Sequence, residues 1–208
     1  MLQYVKPFLR AIIPRTFVYN NKKLEYWSGL YNGAFANERT IELPIVFDAM
    51  KSCKGDILEI GNVTQHYWKH PSIDVVDKYE VGPGVKNIDI MDYYKKYDLI
   101  VSISTFEHIG LDEEDKRESK VFDAIHHCKK MLKPNGKMII TIPTSYNGVL
   151  DRKILGQFVH YDRVNCYRRV DAFNNWEGCS LLDAVHMNYG APYLNANGLY
   201  VLEFDAKS

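Results

Sequence analysis

Carboxylates standing at or just beyond the ends of short apolar runs are the residues of this chain with the most legible chemistry. The run Asp56–Ile60 carries Glu59 and leads into Gly61 and Asn62, the run Ile73–Val76 ends at Asp77, and Asp89-Ile90 follows Asn87-Ile88. A carboxylate at the end of a buried strand can accept both hydroxyls of a ribose diol, which suits Asp77. Asp89 can accept from an exocyclic amine while Ile90 covers a ring face. A single glycine follows Glu59 where a nicotinamide-dinucleotide fingerprint would place three, so such a cofactor finds no glycine-lined approach to the backbone. A fourth run ends in Ser104-Thr105-Phe106-Glu107-His108. An imidazole titrating near neutrality can take a proton from a hydroxyl, which makes His108 a candidate base. The alternative is that Glu107 and His108 cap the helix that follows. Asp151–Arg169 holds Arg152, Lys153, Arg163, Arg168 and Arg169 against Asp151 and Asp162, an excess of three positive charges around His160-Tyr161. Arginine forks suit phosphoryl oxygens and tyrosine suits a sugar face. Tyr146, Arg152 and Arg163 are therefore candidate contacts to an anionic acceptor, and His160 and Tyr161 candidate catalytic groups; a solvated basic loop is the alternative reading.

These residues need a scaffold that gathers strand ends. Asp56–Ile60, Ile73–Val76, Tyr97–Ile103 and Lys137–Ile142 are short β-branched runs that read as strands. Between the last two, Val121, Phe122, Ile125, Cys128 and Leu132 form a helical stripe within Asp112–Leu132, closed by Lys133-Pro134-Asn135-Gly136. Strand, helix and strand in this order imply parallel pairing with right-handed crossovers, hence an α/β three-layer sandwich with ligands beyond the carboxyl ends of its strands. Upstream, Asn37 is placed to cap a helix carrying Ile41, Ile45 and Met50. Downstream, Leu181–Met187 and Leu199–Phe204 read as two more strands joined by a long turn-rich loop.

The series Ile57-Leu58-Glu59-Ile60-Gly61, Val76-Asp77, Ile88-Asp89-Ile90, Tyr97 to Ile109 and Leu132-Lys133-Pro134-Asn135-Gly136-Lys137 resembles class I S-adenosylmethionine-dependent methyltransferases across about Asp56 to Pro143. The most specific elements are Phe106-Glu107-His108-Ile109 and the Leu-Lys-Pro-Asn-Gly turn. The resemblance implies a Rossmann-like, seven-stranded, mostly parallel sheet with an antiparallel last strand, and S-adenosyl-L-methionine as cofactor. It assigns Glu59 and Gly61 to the first motif, Asp77 to the ribose hydroxyls, Asp89 and Ile90 to the adenine, and Ser104 and Thr105 to the loop beneath the sulfonium. Asn62-Val63 stands where most members keep Gly-x-Gly, and an asparagine can take the left-handed conformation there. In a metal-dependent subset a Glu-x-x-Glu-His run holds a divalent ion; Ser104 occupies its first position here, so no metal is expected. Tyr26–Tyr31 and Asn37-Glu38-Arg39 are expected to form a lid, with Arg39 near the cofactor carboxylate. The implied reaction is methyl transfer to a small-molecule acceptor, as an O-methyltransferase acting on a hydroxyl of a sugar, sugar-phosphate or phosphoryl precursor of a surface polysaccharide. Methylation of a secondary metabolite at nitrogen or oxygen, or a non-catalytic adenosylmethionine-binding protein, are the alternatives.

Composition bounds these readings. The 208 residues are 46% hydrophobic and 25% charged, with 26 basic and 26 acidic side chains. One sizeable core is expected, and zero net charge supplies no global field for nucleic acid or anionic lipid. Locally the charge is uneven: five basic residues against Glu25 in the first thirty positions, and five acids against Lys207 from Asp171 on. No apolar run approaches a membrane span, and Lys6, Pro7 and Arg10 interrupt the stretch Met1–Pro14, so a cytoplasmic protein without a signal peptide is expected. Cys53, Cys128, Cys166 and Cys179 lack a paired spacing and read as reduced thiols. The expected organisation is one domain: an N-terminal helical lid (1–54), a cofactor core (55–147) and a substrate-recognition region with the last two strands (148–208).

Overall fold

A computed structural model describes residues 15–70, 72–114 and 116–206; the reading of Met1–Pro14 lies outside the described residues. The chain opens with a hairpin, β1 (Thr16–Tyr19) and β2 (Lys22–Glu25). Asn20 and Asn21 turn it with φ of 48° and 62°, the left-handed pair that matches the twist of a two-residue hairpin loop. A 3-10 turn at Tyr31–Ala36 leads to α1 (Arg39–Ser52), where Asn37 Oδ1 accepts from Arg39 N at 3.0 Å. The main sheet is built from β3 (Ile57–Ile60), β4 (Asp74–Asp77), β5 (Val85–Asn87), β6 (Tyr97–Ile103), β7 (Leu132–Pro143), β8 (Arg163–Arg169), β9 (Trp176–Cys179) and β10 (Gly198–Asp205). The helices α2 (Lys120–Lys130), α3 (Gly148–Leu155) and α4 (Leu181–Val185) complete the fold.

Eight strands lie in the order β5-β4-β3-β6-β7-β10-β8-β9. β5 to β7 are parallel, and the last strand, β10, enters antiparallel between β7 and β8. The sheet has one strand more than the seven expected, because Trp176–Cys179 pairs antiparallel with β8 at the far edge. Period-two alternation divides the core: on β10, Tyr200, Leu202 and Phe204 face α2 and α3, while Leu199 and Val201 face α1 and the hairpin. That gives the three layers. α1 is buried almost all round, so its sequence shows no single apolar stripe.

Three expectations are corrected. Leu181–Met187 is not a strand: Ser180 and Asp183 form a capping box, and the helix α4 starts there. The basic segment Asp151–Arg169 is not one loop: it holds most of α3 and all of β8, joined by a connection over 156–162. The described part of the N-terminal region is not helical throughout: Thr16–Glu25 is a hairpin that lies against the sheet, with Tyr19 Oη donating to Glu203 Oε1 (2.9 Å) and Tyr167 Oη to Val18 O (2.8 Å). Among the described residues no helix is long and apolar enough to cross a membrane, and the four cysteines are free thiols.

Candidate active site

At the carboxyl ends of β3, β4 and β6 opens a cavity of about 480 Å³. Its wall includes Gly61, Asp77, Asp89, Ile90, Ser104, Thr105 and His108, with Ile88 and Ile109 adding apolar surface. The left-handed residue of the first turn is Gly61 (φ 83°) and not Asn62. A Cβ at Gly61 would also stand 2.2 Å from Thr105 Oγ1, so only glycine lets the two loops meet.

Beneath that turn Glu59 is fully buried and lines no part of the cavity. Its Oε1 accepts from the backbone of Val63 (3.0 Å) and Thr64 (2.6 Å), and its Oε2 from the Thr64 hydroxyl (2.6 Å). Burial pushes the Glu59 carboxyl up to about 7 against those donors. Glu59 is therefore the clasp of the loop. Asp77 Oδ1 accepts from Tyr79 N (2.8 Å) and Glu80 N (2.7 Å), while Oδ2 accepts from Asn62 N at 3.2 Å and keeps acceptor capacity toward the cavity. Asn62 itself reaches Glu80 Oε1 at 2.5 Å on the cavity rim.

At the other end of the cavity Asp89 Oδ1 accepts from Met91 N, and Oδ2 faces Lys120 (2.7 Å) and Lys78 (3.1 Å). Glu113 completes a four-charge cluster with the same two lysines, at 2.5 Å from Lys120 and 3.1 Å from Lys78. Burial would raise the Asp89 carboxyl, but the Lys120 ammonium, the Met91 amide and Lys78 hold it down at about 2.

Behind Ser104 lies a second group of charges. Ser104 has φ 41°, and its hydroxyl and that of Thr141 each donate to Glu42 Oε1 at 2.7 Å. Arg39 pairs with Glu42 Oε2, and Glu38 Oε2 accepts from Ala196 N at 3.2 Å. Glu107 is buried beside them, and burial drives its carboxyl well above the usual range. Toward the surface, His108 Nδ1 meets Asp112 Oδ2 at 2.5 Å, and Tyr146 Oη donates to the same oxygen at 2.9 Å. The Tyr146 ring packs edge-on against His108 (4.7 Å between centroids) and Tyr189 (5.1 Å).

The fold thus brings Gly61, Asp77, Asp89, Ile90, Ser104, Thr105 and His108 to one cavity, with Glu59 and Asn62 shaping its first turn. Arg39 is held behind Ser104 by Glu42, and Tyr146 reaches the site through Asp112. Tyr26 and Trp27 do not cover the cavity: Tyr26 stacks on Phe17 and Trp27 packs on Phe47. His160, Tyr161 and Arg163 are not brought there either. α3 carries the chain from the carboxyl end of β7 back to its start, and Arg163 pairs in register with Glu203 near the opposite end of the sheet. Arg163 binds Glu203, the His160 carbonyl accepts from Lys129, and Arg152 is exposed on α3. The residues that sequence reasoning passed over are Glu42, Lys78, Asp112, Glu113, Lys120 and Tyr189. The one available signal was Glu38 and Glu42, four apart and flanking Arg39 where an otherwise apolar helix begins.

The sheet order and the cavity at its switch point define a Rossmann-like, mostly parallel α/β fold with an antiparallel last strand, and solved structures have a similar fold. The chain is similar to the N-methyltransferase NodS from Bradyrhizobium japonicum WM9, solved with S-adenosyl-L-homocysteine, at 13% identity over 86% of this chain and 91% of that one, with a TM-score of 0.50. A possible histamine N-methyltransferase from Thermotoga maritima gives 13% identity, 80% and 88% coverage and a TM-score of 0.47. A 1,6-didemethyltoxoflavin N1-methyltransferase from Burkholderia thailandensis gives 12%, 94%, 99% and 0.45. No protein-family model and no curated protein matches the chain.

Proposed function

We propose that the protein binds S-adenosyl-L-methionine in the 480 Å³ cavity and transfers its methyl group to a small-molecule acceptor. The observation that carries this reading is the meeting in one cavity of the Gly61 turn, an Asp77 oxygen with spare acceptor capacity, and the apolar edge of Ile88, Ile90 and Ile109. That donor and acceptor set fits an adenosine: a carboxylate for the diol, backbone for polar edges and aliphatic side chains for the ring. When bound, the cofactor supplies a methyl group already activated on a sulfonium. Asp77 and Gly61 hold the nucleoside, Asp89 is fixed by Lys120 to face the adenine edge, and Ser104-Thr105 floor the reacting end. The chain's own contribution is alignment and exclusion of water.

The reading of a sugar or phosphoryl hydroxyl as acceptor drew on the resemblance and on Tyr146, Arg152, Arg163, His160 and Tyr161; Arg163, His160 and Tyr161 no longer support it, because β8 starts at the far end of the sheet. Isothermal titration with S-adenosylhomocysteine tests the cofactor. Saturable binding with Kd below about 1 mM is expected, and Asp77→Asn should weaken it about tenfold or more by replacing a charged acceptor with a donor. No binding to the wild-type protein sinks the proposal; binding without transfer to any acceptor favours a non-catalytic role.

A further inference from the structure

Between the end of β6 and the start of α1 the molecule buries three acidic side chains around Arg39. Glu38, Glu42 and Glu107 are 7%, 0% and 1% exposed, and Arg39 lies among them. Two of the three carboxylates are explained by the fold. Glu42 is held by Arg39, Ser104 and Thr141, and Glu38 accepts the Ala196 amide. Glu107 is not, since its Oε2 has no hydrogen-bond partner among the described residues and its Oε1 is 3.8 Å from His108 Nε2.

A buried carboxylate oxygen without a donor is costly, and two further carboxylates nearby make it more so. Such a site fits a ligand that brings both an N–H donor and a positive charge. Its place in the fold says what that ligand is for. Glu107 follows Ser104 and Thr105 on the loop that floors the proposed cofactor cavity, and Ser104 is bonded to Glu42. His108, whose Nε2 is 3.8 Å from Glu107 Oε1, packs edge-on against Tyr146, and Tyr146 packs edge to face on Tyr189; both tyrosine rings are partly exposed. Aromatic rings beside buried carboxylates favour cations. Among the described residues no group of three or more His, Cys, Asp or Glu side chains is arranged to hold a metal ion.

We infer that the methyl acceptor is a cationic amine, entering past Tyr146 and Tyr189 and held through its ammonium group by Glu107 within the field of Glu38 and Glu42. The inference rests on the cofactor reading above. The Glu107 carboxylate takes one proton from the ammonium, leaving a neutral amine with a free lone pair. That lone pair forms the new N–C bond as the S–CH3 bond breaks, and the electron pair of the broken bond stays on sulfur as a neutral thioether. The product leaves as an N-methylammonium, and the proton on Glu107 passes to water. Burial raises the proton affinity of the Glu107 carboxylate, which favours this transfer from the ammonium. A phosphoryl acceptor would instead bring negative charge, and no N–H donor, beside three buried acidic side chains.

The test uses two adenosine derivatives whose 5′ nitrogen carries the cofactor's amino-acid chain and either a 2-aminoethyl or a 2-hydroxyethyl arm. Isothermal titration of the full chain should find the amino compound bound about tenfold tighter or more. Glu107→Gln should bring the two affinities together while S-adenosylhomocysteine affinity is kept. Equal affinities in the wild type, a preference for the hydroxyl arm, failure of both derivatives while S-adenosylhomocysteine binds, or an undiminished preference in Glu107→Gln overturns the amine assignment alone. Failure of S-adenosylhomocysteine to bind overturns the cofactor reading and this one with it. Should Glu107→Gln not fold, Glu38→Gln is expected to cut the preference by about threefold, and an unchanged preference there overturns the assignment.

Discussion

Replacing Glu59 by glutamine should make the protein more stable at alkaline pH while leaving it unchanged in acid. Glu59 is fully buried and accepts three hydrogen bonds, yet burial still lifts its carboxyl from 4.5 to about 7. Between those values the folded protein keeps a proton that the unfolded chain has released. Its stabilising contribution is therefore fully present below pH 4.5 and is lost as the pH rises through 7. At about 1.36 kcal/mol per pKa unit, the loss reaches about 3 kcal/mol by pH 8. Glutamine keeps the geometry without the charge: its Oε1 can accept the Val63 and Thr64 amides, and its Nε2 can donate to the Thr64 hydroxyl, which rotates to accept.

Urea unfolding of both proteins from pH 4 to 8 measures this. The two curves should converge near pH 4 and separate to about 3 kcal/mol at pH 8, with Glu59→Gln the more stable. The difference is the quantity to read, because Asp151, lifted to about 6 by burial, adds its own slope to both proteins. Parallel pH profiles would refute the reasoning, since they would mean that Glu59 is not the group titrating. Glu59→Leu should instead lose about 3–6 kcal/mol across the range, having stranded two amides and a hydroxyl at once.

Gly61→Ala forces a Cβ into the left-handed region and against Thr105; differential scanning fluorimetry should show a lower Tm, and S-adenosylhomocysteine affinity should fall about tenfold or more. Lys120→Met leaves Asp89 and Glu113 sharing Lys78, so urea unfolding should report a loss of about 3 kcal/mol; a near-neutral result would mean that Lys78 neutralises both. His160→Ala and Arg163→Ala, at the far end of the sheet, should leave cofactor affinity within about twofold, read by titration.

What could be read from the chain was local. Gly61, Asp77 and Asp89 announce themselves because each follows a short β-branched run, and a parallel sheet must deliver those ends to one edge. Leu181–Met187 misled because its apolar residues suit a strand as well as a helix, while the deciding signal was the Ser180/Asp183 capping box that spans its start. The basic cluster misled for a different reason. Its composition is visible in sequence, but the direction of β8 depends on how α3 crosses the sheet, and β10 lies between β7 and β8 although it comes last in the chain. Charge pairing was equally hidden: Lys120 meets Asp89 across thirty-one positions, and Thr141 meets Glu42 across ninety-nine.

Ser104 shows how α1 shapes the floor of the cavity. It sits in the left-handed region without being glycine, which costs about 1 kcal/mol or more and persists only where neighbours over-determine it. Those neighbours are the Thr141 carbonyl, which accepts from Ser104 N at 3.0 Å, and Glu42, which accepts the Ser104 hydroxyl. Glu42 belongs to α1, and the same carboxylate binds Arg39 beside Glu38. The floor of the proposed cofactor cavity and the field behind it are therefore set by one helix. A substitution at Glu42 would release Ser104 and uncouple Arg39 together, so its effects on cofactor affinity and on acceptor preference should not separate, whereas those of Glu107→Gln should. That contrast distinguishes a residue shaping the site from one facing the acceptor.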